Sequence, residues 1–253
     1  MSTRIGIAGI TGRMGRLLVE EVAAAGATLA GGLGRTGADA ARLPDIAALG
    51  RAAEVVIDFT HASAARLHAG ALAGAGTAWV LGTSGLSGED EAAVAAAARR
   101  IPVVYASNFA PGVNLVLALA EQMAAALPAE GYDAEILEMH HRQKVDAPSG
   151  TAIGMGRAVA AGRGVALPDV MQSGRDGHTG PRRTGAIGFA ALRGGQVVGE
   201  HTLIFASASE HIALTHRAFD RRVFATGAVR AALWLKDRPA GLYGMADVLG
   251  MAG

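Results

Sequence analysis

Apolar residues occupy the first half of the chain in short, nearly unbroken blocks: RIGIAG (Arg4 to Gly9), ATLAGGL (Ala27 to Leu33), EVVIDF (Glu54 to Phe59), TAWVLG (Thr77 to Gly82) and IPVVYA (Ile101 to Ala106). Each has the length of a strand and little polar alternation. Between most of them lie helix formers such as RLLVEEVAAAG and EDEAAVAAAARR, and a helix is also expected over ADAARLPDIAALG (Ala38 to Gly50). Apolar strands separated by helices predict a parallel sheet covered on both faces, the doubly wound α/β arrangement.

After Pro111 the rhythm changes. A helical stretch from Val113 to Leu127 leads to the strand AEILEMH, a polar segment HHRQKVDAPSGT, and a helix from about Ser149 to Ala161. Beyond a loop rich in Gly, Arg and Pro (Gly174 to Gly185) come three strand-like runs, AIGFAAL, QVVGEHTLIFAS and EHIALTHRA, without helices between them. Consecutive strands of that kind predict a second domain of α+β type with an antiparallel or mixed sheet. A last helix, from about Arg221 to Lys236, is free to return to the first domain. The expected organisation is a Rossmann-like doubly wound parallel sheet over residues 1–108 and 221–253, and an α+β domain with an open mixed sheet over 109–220.

Composition narrows the function. Lys and Arg number 23 against 22 Asp and Glu, a formal net charge of +1, and no basic run of the kind that tracks a phosphate backbone is present, which argues against nucleic acid as a partner. The absence of cysteine removes disulfides, thiolate metal sites and a cysteine nucleophile. Two uncharged stretches, Leu67 to Gly88 and Ile101 to Ala120, approach the length of a membrane span, but the first is broken by His68 and repeated glycines and the second by SNFAPG. No secretory signal opens the chain, so a cytoplasmic protein is expected.

GITGRMG (Gly9 to Gly15) stands directly after the first strand and before the first helix. A glycine turn there lets backbone approach a pyrophosphate, and the opening amides of the helix supply donors and a positive dipole end. The spacing is G-x-x-G-x-x-G where dinucleotide sites usually carry G-x-G-x-x-G, so glycines that merely turn the chain remain an alternative. Most NAD sites place a carboxylate about twenty residues on, at the end of the second strand, to hold the ribose 2′-hydroxyl. Here GGLGRTG offers Gly34 and Arg35 instead, with no carboxylate before Asp39. Arg35 suits a 2′-phosphate, so NADPH is expected to bind at least as well as NADH, unless Arg35 is a solvated surface charge.

The polar segment from His140 to Thr151 admits several readings. A metal site wants ligands at helical spacing, which His140, His141 and Lys144 do not provide. A serine hydrolase wants its serine on a G-x-S-x-G elbow, and APSGT is not one. An anion pocket fits better: PSGT opening a helix presents backbone amides and hydroxyls to a carboxylate, while Lys144 and a protonatable histidine add charge and a proton source. A helix cap beside a solvated loop would explain Ser149 and Thr151 but neither histidine.

The run E-x-H-H-R-Q-K-V-D-A-P-S-G-T-A resembles the signature of the dihydrodipicolinate reductases, and the resemblance extends along the chain through GITGRMGR, VVIDFT, GTSG, SNFAPGVN, GHTG, RGGQVVGEHTLIF and GAVRAALWL. It implies reduction of a cyclic unsaturated imine dicarboxylate by NADPH or NADH in lysine and diaminopimelate biosynthesis. It implies that Gly9, Ile10, Thr11, Gly12, Arg13 and Met14 wrap the cofactor pyrophosphate, with Arg35 and Phe59 in the same site. Gly82, Thr83 and Ser84, with Ala106, Ser107, Asn108 and Phe109, would line the nicotinamide side, the second group also forming the hinge between domains. His140 would be the catalytic acid with Lys144 its partner, while His141, Lys144, Ser149, Gly150 and Thr151, joined by Arg221, would hold the substrate carboxylates. A homotetramer joined through the second domain's sheet is implied, and no metal. The chain departs from the family at Gly34, where an acidic ribose reader is expected, and in a short segment from Arg35 to Arg51. The rivals are another two-domain NAD(P)-dependent dehydrogenase of a small acid, which has no need of the HHRQK to PSGT segment, and a non-catalytic NAD(P) redox sensor, which has no use for His140 and Lys144.

Overall fold

The structure is a computed structural model that describes residues 2–34 and 42–251. Arg35, expected beside the adenosine ribose, lies outside the described residues. The chain divides into two compact units, one built from Met1–Pro111 and Arg222–Gly253 and the other from Gly112–Arg221.

The first unit holds six strands, β1 (Arg4–Ala8), β2 (Thr28–Leu33), β3 (Val55–Asp58), β4 (Ala78–Leu81), β5 (Pro102–Tyr105) and β11 (Gly241–Tyr243), in the order β11-β5-β4-β3-β1-β2. Every pairing is parallel. Alternate residues of these apolar strands feed two separate layers, as a period of two requires. Ile5, Ile7, Val55, Ile57, Val80 and Val104 pack on helices α1 (Arg13–Ala24) and α8 (Arg222–Leu235). Val56, Trp79, Leu81 and Val103 pack on α2 (Ile46–Ala52), α3 (Ala65–Ala75) and α4 (Gly88–Ala98). Burial of each large side chain stabilises by roughly 1.5–3 kcal/mol. Of the helix expected over Ala38 to Gly50, residues 38–41 lie outside the described residues; among the described ones it begins at Ile46, since Pro44 disfavours helical backbone at Leu43 and Asp45 caps the helix by accepting the N–H of Ala48 at 2.7 Å.

The second unit holds β6 (Asp133–His140), β7 (Met171–Ser173), β8 (Ile187–Arg193), β9 (Gly199–Ala206) and β10 (His211–Ala218) in the order β10-β9-β6-β8-β7. The sheet is mixed, with β9 antiparallel to β6 and β10, and β8 parallel to β6 and β7. Helices α5 (Pro111–Ala126) and α6 (Gly150–Gly162) cover one face, over Ala134, Ile136, Ile187, Phe189, Leu203 and Phe205. The short helices α7 (Leu167–Val170) and α9 (Met245–Leu249) and a 3₁₀ turn (Ala62–Ala64) complete the described elements. The three-residue strands β7 and β11 have no counterpart in the reading of the sequence.

Candidate active site

In the first unit the chain leaves β1 through a turn that only glycine can make. Gly9 has φ +88°, and a Cβ on Gly15 would lie 2.2 Å from the Gly9 carbonyl oxygen. Helix α1 opens at Gly12 with no side-chain cap and no acidic residue in its first turn, so its first amides are open to an anion. Thr11 and Gly12 border a cavity of about 710 Å³ together with Gly9, Gly34, Phe59 and Thr60. A second, of about 410 Å³, is lined by Gly12, Arg13, Met14, Gly82, Thr83 and Ser84. These glycines are cradles: a Cβ at Gly82 would meet the Phe59 ring at 2.4 Å, and one at Gly34 would meet the Thr11 side chain at 2.7 Å. Thr83 is buried, and its hydroxyl has no hydrogen-bond partner. Glycine turn, open helix start and orphaned hydroxyl fit a dinucleotide, with pyrophosphate on the α1 amides.

Two expected cofactor residues turn their side chains inward. Ile10 and Phe109 belong to the core, Phe109 with its ring 5.6 Å from that of Phe59, so each can offer a ligand only backbone. Ala106 packs against the same core, Ser107 is exposed, and Asn108 Oδ1 accepts the N–H of Ala110. A buried pair beside the larger cavity had no signal in the sequence. Asp58, at the end of β3, accepts from Thr60 and stands 2.7 Å from Nδ1 of His68, which lines that cavity.

In the second unit, β6 alternates strictly, and its inward positions are Ala134, Ile136, Glu138 and His140. Two ionisable side chains thus take core places at the end of the strand. Register does the rest: Glu138 pairs with His201 and His201 with His216, while His140 pairs with Arg193. His140 Nδ1 lies 2.6 Å from Glu138 Oε2. Arg193 grips the same carboxylate with both Nη atoms at 2.8 Å, and the Ser149 N–H donates to it at 3.1 Å. Burial pushes the Glu138 carboxyl up, but the bonds from Arg193 and His140 outweigh it and hold the group below its usual value. For His140 burial is the larger influence and lowers its pKa, Glu138 acts in the opposite sense, and Lys144 and Arg193 lower it further. The imidazole is therefore neutral near pH 7, with Nδ1–H facing Glu138 and Nε2 open.

Two of the other expected residues reach this ring or its partner: Lys144 acts on His140 through its charge, and Ser149 shares the Glu138 carboxylate. Lys144 donates to both carboxylate oxygens of Asp146, at 2.8 and 2.9 Å, and Asp146 is held below its usual value chiefly by that contact. His141 has a buried Nδ1 without a partner. Ser149 caps α6, accepting the N–H of Ala152, and Gly150 and Thr151 form its first turn. A Cβ at Gly150 would meet nothing within 4 Å, and one at Gly199 would sit 3.0 Å from His140 Nε2. Arg221 is the last residue of this unit. Sequence reasoning assigned no role to Glu138, Arg193, His201 or His216. The usable signal was the alternation in β6 and β9, which sets Glu138 with His140 and Gly199 with His201 on buried faces.

Residues 3–109 match the family "Dihydrodipicolinate reductase, N-terminus" and residues 112–249 "Dihydrodipicolinate reductase, C-terminus". A 4-hydroxy-tetrahydrodipicolinate reductase of Granulibacter bethesdensis is 68% identical, over 99% of this chain and 98% of the relative. One from Acidiphilium cryptum is 67% identical, over 98% of each. Among solved structures, a dipicolinate-bound dihydrodipicolinate reductase from Paenisporosarcina sp. TG-14 is similar with a TM-score of 0.81 and 25% identity, over 98% of this chain and 100% of that one. A UDP-N-acetylglucosamine 3-dehydrogenase from Acidithiobacillus ferrooxidans, 17% identical with a TM-score of 0.57 over 95% of this chain and 91% of that one, shares the fold.

Proposed function

The chain belongs to the dihydrodipicolinate reductase family, and from that premise we propose which of its residues carry out the family's reaction and where. The reaction is the NAD(P)H-dependent reduction of 4-hydroxy-tetrahydrodipicolinate to tetrahydrodipicolinate. We assign the dinucleotide to the unit formed by Met1–Pro111 and Arg222–Gly253, and the substrate to Gly112–Arg221.

Loss of the 4-hydroxyl as water leaves a conjugated ring, and the reduced nicotinamide, when bound, would supply a hydride to its C4. The residues of α1's opening turn hold the pyrophosphate, and Thr83 offers its unpartnered hydroxyl on the nicotinamide side. Two tasks remain for the second unit: to hold two carboxylates, and to deliver a proton to the carbon next to C4. The Ser149 hydroxyl and the opening amides of α6 at Gly150 and Thr151 receive one carboxylate, and His141, Lys144 and Arg221 supply donors and charge for the rest. To do so Lys144 exchanges Asp146 for the substrate. His140 supplies the proton from Nε2, since Nδ1 is committed to Glu138. The observation that carries this reading is the ring of His140, buried at the sheet's end and oriented by an ionised carboxylate that is itself clamped by Arg193.

The test is His140→Gln. General acid catalysis contributes about 10²–10⁴-fold, so kcat should fall by that order while the dissociation constant for NADPH, measured by fluorescence titration, stays within about twofold. Unaltered turnover would remove His140 from the role. Rates with NADH and NADPH taken in parallel, with substrate formed in situ from pyruvate and aspartate semialdehyde, measure the cofactor preference left open by Gly34.

The family relationship also supports a homotetramer joined through the second unit's sheet. On the face opposite α5 and α6 that sheet presents Leu137 at 40% and Leu192 at 48% exposure, apolar surface that a subunit interface would cover. Sedimentation as a monomer at micromolar concentration would refute that assembly. Its family's biosynthetic role supports a cytoplasmic location. Separately, among the described residues no helix is long and apolar enough to cross a membrane.

A further inference from the structure

The hydroxyl of Ser149 has two neighbours that decide where its proton points. It accepts the N–H of Ala152 at 3.2 Å, and it lies 3.0 Å from His201 Nε2. His201 faces the core from β9 at 4% exposure, and its Nδ1 is buried without a partner. Burial pushes the ring down to about 4, so at neutral pH it carries one proton. With that proton on Nε2, the imidazole donates to Ser149 and leaves only a lone pair bare at Nδ1. With the proton on Nδ1, a buried N–H donor goes unsatisfied, and the serine must spend its own proton on the imidazole. The first arrangement is the cheaper one, because orphaned buried N–H groups are the rarer and costlier defect.

We propose that His201 is a positioning residue for substrate binding: by donating from Nε2 to Ser149 Oγ it fills, with Ala152 N–H, both acceptor sites of the hydroxyl, whose proton is then reserved for a substrate carboxylate at the start of α6. The inference rests on the reading that Ser149, Gly150 and Thr151 receive a carboxylate. His201 touches no substrate in this scheme. It sets the polarity of a hydroxyl that does, so its effect belongs in affinity and in KM, with little in kcat.

Four variants separate the possibilities: Ser149→Ala, His201→Phe, the double variant, and His201→Gln, whose amide nitrogen can stand where Nε2 does. The readouts are kcat, KM and the dissociation constant of pyridine-2,6-dicarboxylate, with melting temperature as a check on folding. Ser149→Ala should weaken the probe about tenfold, as the loss of one hydrogen bond to a charged group does. His201→Phe should match it, the double variant should be no weaker than either, and His201→Gln should return to within about threefold of the parent. Additive losses in the double variant, approaching a hundredfold, or an unchanged KM in His201→Phe, would overturn the proposal. If Ser149→Ala alone leaves the probe's affinity intact, it is the carboxylate reading that has failed, and this inference falls with it. Should His201→Phe not fold, nitrogen NMR of the parent decides, with the ring resonances assigned by their loss in His201→Gln: protonated Nε2 is expected, and protonated Nδ1 refutes.

Discussion

Arg193→Met removes the clamp on Glu138 and tests how the acid centre is held. The guanidinium donates to both carboxylate oxygens at 2.8 Å and also to the backbone carbonyls of Leu192 and Asp146, each at 2.6 Å. It therefore ties the carboxylate to the loop that carries Lys144. Glu138 is 1% exposed and stays behind when the clamp is lost. Breaking a buried ion pair from one side costs about 3–5 kcal/mol, because the remaining charge is uncompensated. Arg193 keeps 21% of its side chain in solvent, so the lower end, about 3 kcal/mol, is the expected loss. For a chain of this size that lowers the melting temperature by about 6–12 °C. Burial already pushes Glu138 upward and Arg193 is the foremost influence against it, so the carboxyl pKa rises in the variant and His140 loses a fixed ionised partner. A fall in kcat should accompany the loss of stability. Glu138→Gln combined with Arg193→Met should recover part of the melting temperature, since the stranded charge is gone, but none of the turnover. Calorimetry and initial rates of NADH oxidation measure both. A variant that melts within a degree of the parent and keeps kcat within threefold would show that the clamp is ornamental.

Gly15→Ala places a methyl 2.2 Å from one backbone carbonyl and 2.5 Å from another, so the glycine turn must open. Titration calorimetry should find NADPH affinity reduced more than tenfold and pyridine-2,6-dicarboxylate affinity unchanged; equal loss of both would contradict the assignment of the two ligands to different units. Acid should destabilise the second unit through His201. Its folded value of about 4 lies below the ordinary 6.5, so the stability it contributes is complete above about pH 6.5 and is lost as pH falls toward 4. Linkage gives about 2 kcal/mol lost between pH 8 and pH 5. The melting temperature of His201→Phe should fall less than the parent's over that range, and parallel curves would refute the assignment.

The strands of the first unit could be read because each is an apolar run with glycine or helix formers on both sides, and burial on both faces leaves that pattern no ambiguity. The short strands at Met171 and Gly241 could not, since three residues carry no period. At α2 the alanine-rich composition extends the helical pattern N-terminal of Pro44, while the local signals, Pro44 and the cap Asp45, set the start at Ile46. In the candidate active site, the contiguous run His140 to Thr151 is the part that a reading of the sequence can single out. Arg193 and His201 lie outside it. They reach Glu138 and Ser149 by strand register across 55 and 52 positions, and register is a property of pairing that no single strand contains.

On the proposed reading, that register explains how one histidine can be kept neutral and still serve as an acid. In the free protein, burial lowers the pKa of His140, Lys144 and Arg193 lower it again, and Glu138 only partly compensates. On the proposed reading, the substrate brings two carboxylates to the same place and engages Lys144. An opposite charge within about 4–6 Å favours the protonated imidazole and so raises its pKa. The cations that select a dianion are thus the ones that hold the proton off His140 until the dianion arrives, and their neutralisation is what allows Nε2 to take one up. Proton loading then depends on binding, so a monoanionic analogue of the same shape would lose turnover as well as affinity. Clamping Glu138 is what keeps the sequence in order: a freely mobile carboxylate could compete for Lys144 and protonate first, whereas one fixed by Arg193 stays ionised and leaves the titration to the imidazole.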